Sequence, residues 1–104
     1  PEVQDFVYGI VENLFVKNPE LAFIKWDCNA VIYNAYSAYL NKKGLPQSNL
    51  YVDYIKGLYK VLERIRAKYP KVPMMLCSGG GGRGEYEFLK YFTEFWPSDD
   101  TEPL

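Results

Sequence analysis

Val3, Phe6, Val7, Ile10, Val11 and Leu14 recur at three- and four-residue intervals, the spacing of one face of an α-helix. This first helix is predicted to stop before Asn18-Pro19, because the residue before a proline is driven out of the α region. A second stripe, Tyr51, Ile55, Leu58, Leu62, Ile65 and Tyr69, predicts a longer helix over residues 50–68, capped by Ser48 or Asn49 and ended by Pro70. Residues 21–26, a short run with β-branched and aromatic members, predict a strand, and the short apolar run over 72–76 predicts a buried strand. A short helix over residues 85–92, a third strand over 93–96 and a polar loop over 97–101 follow. Residues 29–45 mix small and aromatic side chains and predict a partly helical loop that ends near Asn41 to Gly44.

Helices and strands therefore alternate, which implies a parallel sheet and an α/β fold. Three strands neither close a barrel nor cover their own sheet, and a (β/α)8 TIM barrel takes about 250 residues. The 104 residues read as a fragment of one such barrel, holding about three of its eight parallel strands, with no linker and no second domain. Unpaired strand edges and an uncovered apolar face favour self-association, so a homo-oligomer is expected.

Charge and composition narrow the partners. The net charge is −1 and Lys42-Lys43 is the one adjacent basic pair, so no face gathers the positive charge that nucleic acid needs. No apolar run approaches the roughly 20 residues of a membrane span. Pro1 stands first instead of methionine, so the lack of a leader-like segment carries no information about compartment. With two cysteines, no histidine and no CxxC, neither a disulfide scaffold nor a zinc site is expected, and no cofactor is called for. Cys28 and Cys77 read as free, partly buried thiols at strand ends. Aromatic residues make up 17% of the chain; most serve as core, since each ring buries a large apolar area, although such chains also line ligand clefts.

The candidate chemistry gathers at the strand ends. After the second strand comes Cys77-Ser78-Gly79-Gly80-Gly81-Gly82-Arg83, whose glycines suit a sharp bend or a close backbone approach. Such a turn can cradle a phosphate, but it matches neither the P-loop nor the dinucleotide fingerprint. The first strand ends Lys25-Trp26-Asp27-Cys28-Asn29, and strand alternation sends Lys25, Asp27 and Asn29 to one side. The dull alternative is a solvated loop with an aspartate helix cap. The third strand leads into Ser98-Asp99-Asp100-Thr101, by itself a cap or a polar turn. Without histidine a Ser-His-Asp arrangement is excluded, so a carboxylate pair drawn from Asp27 and the Asp99 loop is the most economical catalytic reading, and it is the equipment of glycoside hydrolysis.

Three motifs in order, Phe23-Ile24-Lys25-Trp26-Asp27-Cys28-Asn29, the cysteine–glycine run and Trp96-Pro97-Ser98-Asp99-Asp100-Thr101, resemble the catalytic barrel of glycoside hydrolase family 36, the α-galactosidases. The resemblance spans essentially the whole chain. It implies a retaining mechanism on terminal α-galactosides, with Asp27 as nucleophile and Asp99 as acid/base. It also implies that Lys25, Asn29, Cys77 and Gly80 contact the galactose. Ala30, Met75 and Glu85 depart from the residues the family often carries there, Arg, Glu and Asp respectively. Galactosyl transfer to a sugar acceptor and a non-catalytic self-associating module are the alternatives. Asp27 must be ionised to attack and Asp99 must hold a proton; Lys25 helps the first, and a dry site beside Trp26 and Trp96 helps the second. The fragment alone is expected to be inactive.

Overall fold

The computed structural model describes residues 2–27, 35–77 and 86–96. Its elements are α1 (Glu2–Lys17), β1 (Ile24–Asp27), α2 (Ala38–Lys42), α3 (Asn49–Lys68), β2 (Met74–Cys77), a 3-10 helix (Tyr86–Lys90) and β3 (Glu94–Trp96). The three strands form one parallel sheet in the order β1-β2-β3. Expectation and structure agree on the sequence of helices and strands. Within the stretch read as a partly helical loop, α2 is the helical part; Ser37 caps its start, its side chain accepting from the Leu40 amide, and Gly44, with φ of 64°, turns the chain just past its end.

Both early strands start later than their apolar runs suggest. Pro73 has no N–H to give the ladder, so β2 begins at Met74 and β1 joins it where Ile24 N–H donates to the Pro73 carbonyl at 3.1 Å. Thr93 fixes the start of β3: its amide donates to the Met74 carbonyl at 2.9 Å, and its hydroxyl accepts from the Met74 amide at 3.0 Å. The helix expected over residues 85–92 is one short 3-10 segment. Ser48 holds the N-cap position of α3 without a side-chain cap; its backbone is already helical at φ −58°, and turn bonds from Asn49 and Leu50 to Pro46 and Gln47 take over instead.

One face of the sheet carries the core. Ile24, Trp26, Met74 and Leu76 pack with Val11 and Phe15 of α1, Val61, Leu62 and Ile65 of α3, and Phe88, Tyr91 and Phe92. Phe15 stacks on Tyr69 with ring centroids 3.7 Å apart. Along α1 only part of the predicted stripe is used: Val7 and Val11 turn to the core with Phe15, whereas Val3, Phe6, Ile10 and Leu14 are exposed. Helix α1 lies against α3, which Arg64 reinforces by bonding Asp5 at 2.8 Å and covering the Tyr8 ring at 4.0 Å; Lys68 bonds Glu12. Gly57 admits this approach, since a Cβ there would meet the Gln4 amide at 3.3 Å.

Candidate active site

The parallel register decides which side chains share the opposite face. Lys25 is level with Met75 and Glu94, and Asp27 with Cys77 and Trp96. Because alternate residues of a strand take opposite faces, these six lie together, away from the helices. Asp27, Cys77 and Trp96 are the last residues of their strands, so they form a row at the C-terminal end of the sheet, where α/β barrels carry their chemistry.

Within that row the environments differ. Asp27 and Lys25 are exposed, Trp96 is half-buried, and Cys77 is fully buried and free. The Lys25 ammonium lies 5.0 Å from the centroid of the Trp96 ring, within cation–π range. No ion pair joins Lys25 to Asp27 or Glu94 among the described residues.

Lys25 and Asp27 therefore share one face, as strand alternation predicts, and the register adds Cys77 to it. Asn29, Gly80 and Asp99 lie outside the described residues, as does Cys28. Cys77 is more deeply buried than the partly buried thiol expected. Trp26 corrects the reading that both tryptophans dry the site. It is one residue out of phase with Lys25 and Asp27, so it turns to the helices and meets Phe92 edge-on at 6.4 Å. It lines an apolar groove of about 330 Å³ with Val7, Tyr54, Leu58 and Val61, on the far side of the sheet. Glu94 went unremarked as a member of the polar face, although the same alternation, counted back from Trp96, places it there. Among the described residues no group of three or more Cys, Asp or Glu is placed to hold a metal ion, and no helix is long and apolar enough to cross a membrane.

Comparison with known proteins gives these positions a context. The melibiase family profile matches residues 1–104. The α-galactosidase 2 of Hypocrea jecorina is 36% identical over 104 residues, which is 100% of this chain and 12% of that protein. The α-galactosidase 1 of Pediococcus pentosaceus is 37% identical over 102 residues, 98% of this chain and 14% of that protein. Among solved structures, an α-galactosidase from Lactobacillus brevis superposes with a TM-score of 0.87 at 32% identity, covering 98% of this chain and 13% of that one. A GH36 α-galactosidase from Geobacillus stearothermophilus, in complex with stachyose, gives a TM-score of 0.82 at 30% identity, covering 98% of this chain and 14% of that one. The chain thus spans 12% to 14% of the length of the curated relatives named here. Its three strands and their helices correspond to part of the α/β barrel of these enzymes.

Proposed function

The chain belongs to the melibiase family, and from that premise we propose that it is the sector of a retaining α-galactosidase barrel that supplies both reacting carboxylates. The observation that carries the reading is the placement of Asp27 at the C-terminal end of β1, level with Cys77 and Trp96 on the face turned from the helices. In this reading the Asp27 carboxylate attacks C1 of a terminal α-galactosyl unit. The bond from C1 to the leaving oxygen breaks, and Asp99 gives that oxygen its proton. A β-galactosyl ester of Asp27 results. Asp99 then takes a proton from water, the water oxygen attacks C1, and galactose leaves with its α configuration while Asp27 regains its carboxylate.

Lys25, Asn29, Cys77 and Gly80 are assigned to the sugar. Lys25 and Cys77 support this by sharing the face of Asp27; Asn29 and Gly80 follow β1 and β2 by two and three residues in the sequence. Oligosaccharides ending in α-galactose, such as raffinose, are the proposed substrates, consistent with the relative solved with stachyose. The isolated 104 residues are expected to lack turnover, since the described residues hold three strands of a barrel that needs eight.

The test is Asp27→Ala in the full-length protein, assayed on an aryl α-galactoside. Turnover is expected to fall by about a thousandfold or more, as when the nucleophile of a covalent mechanism is removed. Azide should restore part of it and give the β-galactosyl azide. Undiminished turnover, or an α-azide product, refutes Asp27 as nucleophile.

A further inference from the structure

We propose that Trp96 is a positioning residue for the same site, acting through Lys25; this rests on the α-galactosidase reading above. The geometry behind it is a diagonal. Lys25 and Trp96 stand on strands separated by β2, so their backbones are about 10 Å apart across the sheet. They also differ by two register positions, Lys25 being level with Glu94 and Trp96 with Asp27, which adds about 7 Å along the strands. A lysine side chain that stood upright, or that paired with Glu94 at its own level, would keep its ammonium one step below the row of Asp27 and Cys77. Instead the ammonium meets the Trp96 ring at 5.0 Å. The ring thus draws the positive charge across β2 and toward the C-terminal row.

Three features make the ring fit for this. A tryptophan face attracts a cation better than other aromatic rings do, and it holds the charge without neutralising it. A carboxylate in its place would bind the ammonium in an ion pair and compete with the substrate hydroxyls for its donors. The ring is also half-buried and has less freedom than Lys25, an exposed side chain on a flexible four-carbon stem. The consequence is that the orientation of Lys25, and with it the field at Asp27, is set from β3 and not from the lysine's own strand. Lys25 would touch the sugar; Trp96 need only hold Lys25.

A double-mutant cycle in the full-length protein tests this, with Trp96→Leu, Trp96→Phe and Lys25→Met assayed on an aryl α-galactoside. Trp96→Leu is expected to lower kcat/KM about tenfold, the scale of one partly desolvated cation–π contact, and mainly through KM. Trp96→Phe keeps a weaker π face and should lose about threefold. In the Lys25→Met background both Trp96 substitutions should change kcat/KM by less than twofold. If the losses from Trp96 and Lys25 simply multiply, or if Trp96→Phe is as impaired as Trp96→Leu, Trp96 does not act through Lys25 and the inference fails. If Trp96→Leu does not fold, Trp96→Phe with and without Lys25→Met decides alone. Absence of α-galactoside turnover in the unsubstituted protein overturns the reading of the site itself, a different result from a multiplicative cycle in an active enzyme.

Discussion

The two faces of one three-stranded sheet are built from the same strands and differ in almost everything else. Toward the helices, Ile24, Trp26, Met74 and Leu76 enter a continuous apolar core. On the other side, Lys25, Asp27, Met75, Cys77, Glu94 and Trp96 present charge, a thiol and an indole. Neighbouring residues therefore serve opposite ends: Trp26 packs, and the residues on either side of it carry the candidate chemistry. A period of two is enough to separate what holds the fold from what acts on a substrate. Damage on the helix face should appear as lost stability with normal chemistry in the folded fraction, and damage on the other face as the reverse.

The strongest way to break that separation is Ile65→Ala. Ile65 is fully buried on α3, in the cluster that includes Met74 and Leu76. Removing its side chain leaves a cavity and should cost about 2–5 kcal/mol of stability, read from denaturant melts. Below the melting transition, kcat and KM for an α-galactoside should stay within about twofold of the parent. A large change in KM at a temperature where the variant is folded would mean that the core sets the geometry of the site, and that the two faces are not separable.

Arg66 probes the seam between helices and strands with a smaller effect. Its guanidinium donates to the carbonyls of Tyr69, Val72 and Tyr91, joining the end of α3 to the approaches of both β2 and β3. Burial pushes its pKa down from the ordinary arginine value, and its Nη2 has no hydrogen-bond partner among the described residues. A lysine carries the charge but not the planar fork that reaches several carbonyls. Arg66→Lys should cost about 1–2 kcal/mol, roughly one charged hydrogen bond. Since the clamp lies at the N-terminal ends of the strands, turnover by the folded variant should be unchanged. An equal loss of stability and of kcat/KM would show that strand register, not side-chain identity, links the faces.

Much of this division was legible in the sequence, for particular reasons. The alternation through Lys25, Trp26 and Asp27 holds in the structure, and the α3 stripe holds from Leu58 onward, through Leu62, Ile65 and Tyr69, whereas Tyr51 at its start is exposed. The strand starts were misjudged because hydrophobicity does not register a missing N–H, whereas Pro73 decides where β2 can begin. Four of the six α1 stripe residues, Val3, Phe6, Ile10 and Leu14, are exposed and not in the core: Phe6 retains 69% of its surface. Helical spacing reports an apolar face but not its neighbour. The contact between Lys25 and Trp96 was beyond sequence reading altogether, since 70 residues and the register of two strand pairs intervene.

The finest test of the comparison is a pH titration on the helix face alone. Tyr91 is buried, and its hydroxyl donates to Glu63 at 3.0 Å. Burial raises its pKa above the usual 10.0, and the bond to Glu63 with the negative charges of Glu63 and Glu87 adds to this. A folded-state value above the unfolded one means that the native protein holds the proton more tightly. The associated stability is therefore complete below about pH 10 and declines as pH rises through the folded-state value. The Lys68 ammonium, bonded to exposed Glu12, is shifted the same way and loses its contribution over the same range, so Tyr91 is isolated only by difference. At pH 8, Tyr91→Phe should be less stable than the parent by about 1 kcal/mol, one hydrogen bond. By about pH 11 that gap should close or reverse, because phenylalanine has no proton to lose. High salt should flatten the exposed Lys68 part and leave the Tyr91 difference in place. A gap that stays constant from pH 8 to 11 would remove Tyr91 as a titrating element of the core. An alkaline limb of α-galactoside turnover that moved with Tyr91→Phe would carry its charge across the sheet and end the separation of the two faces.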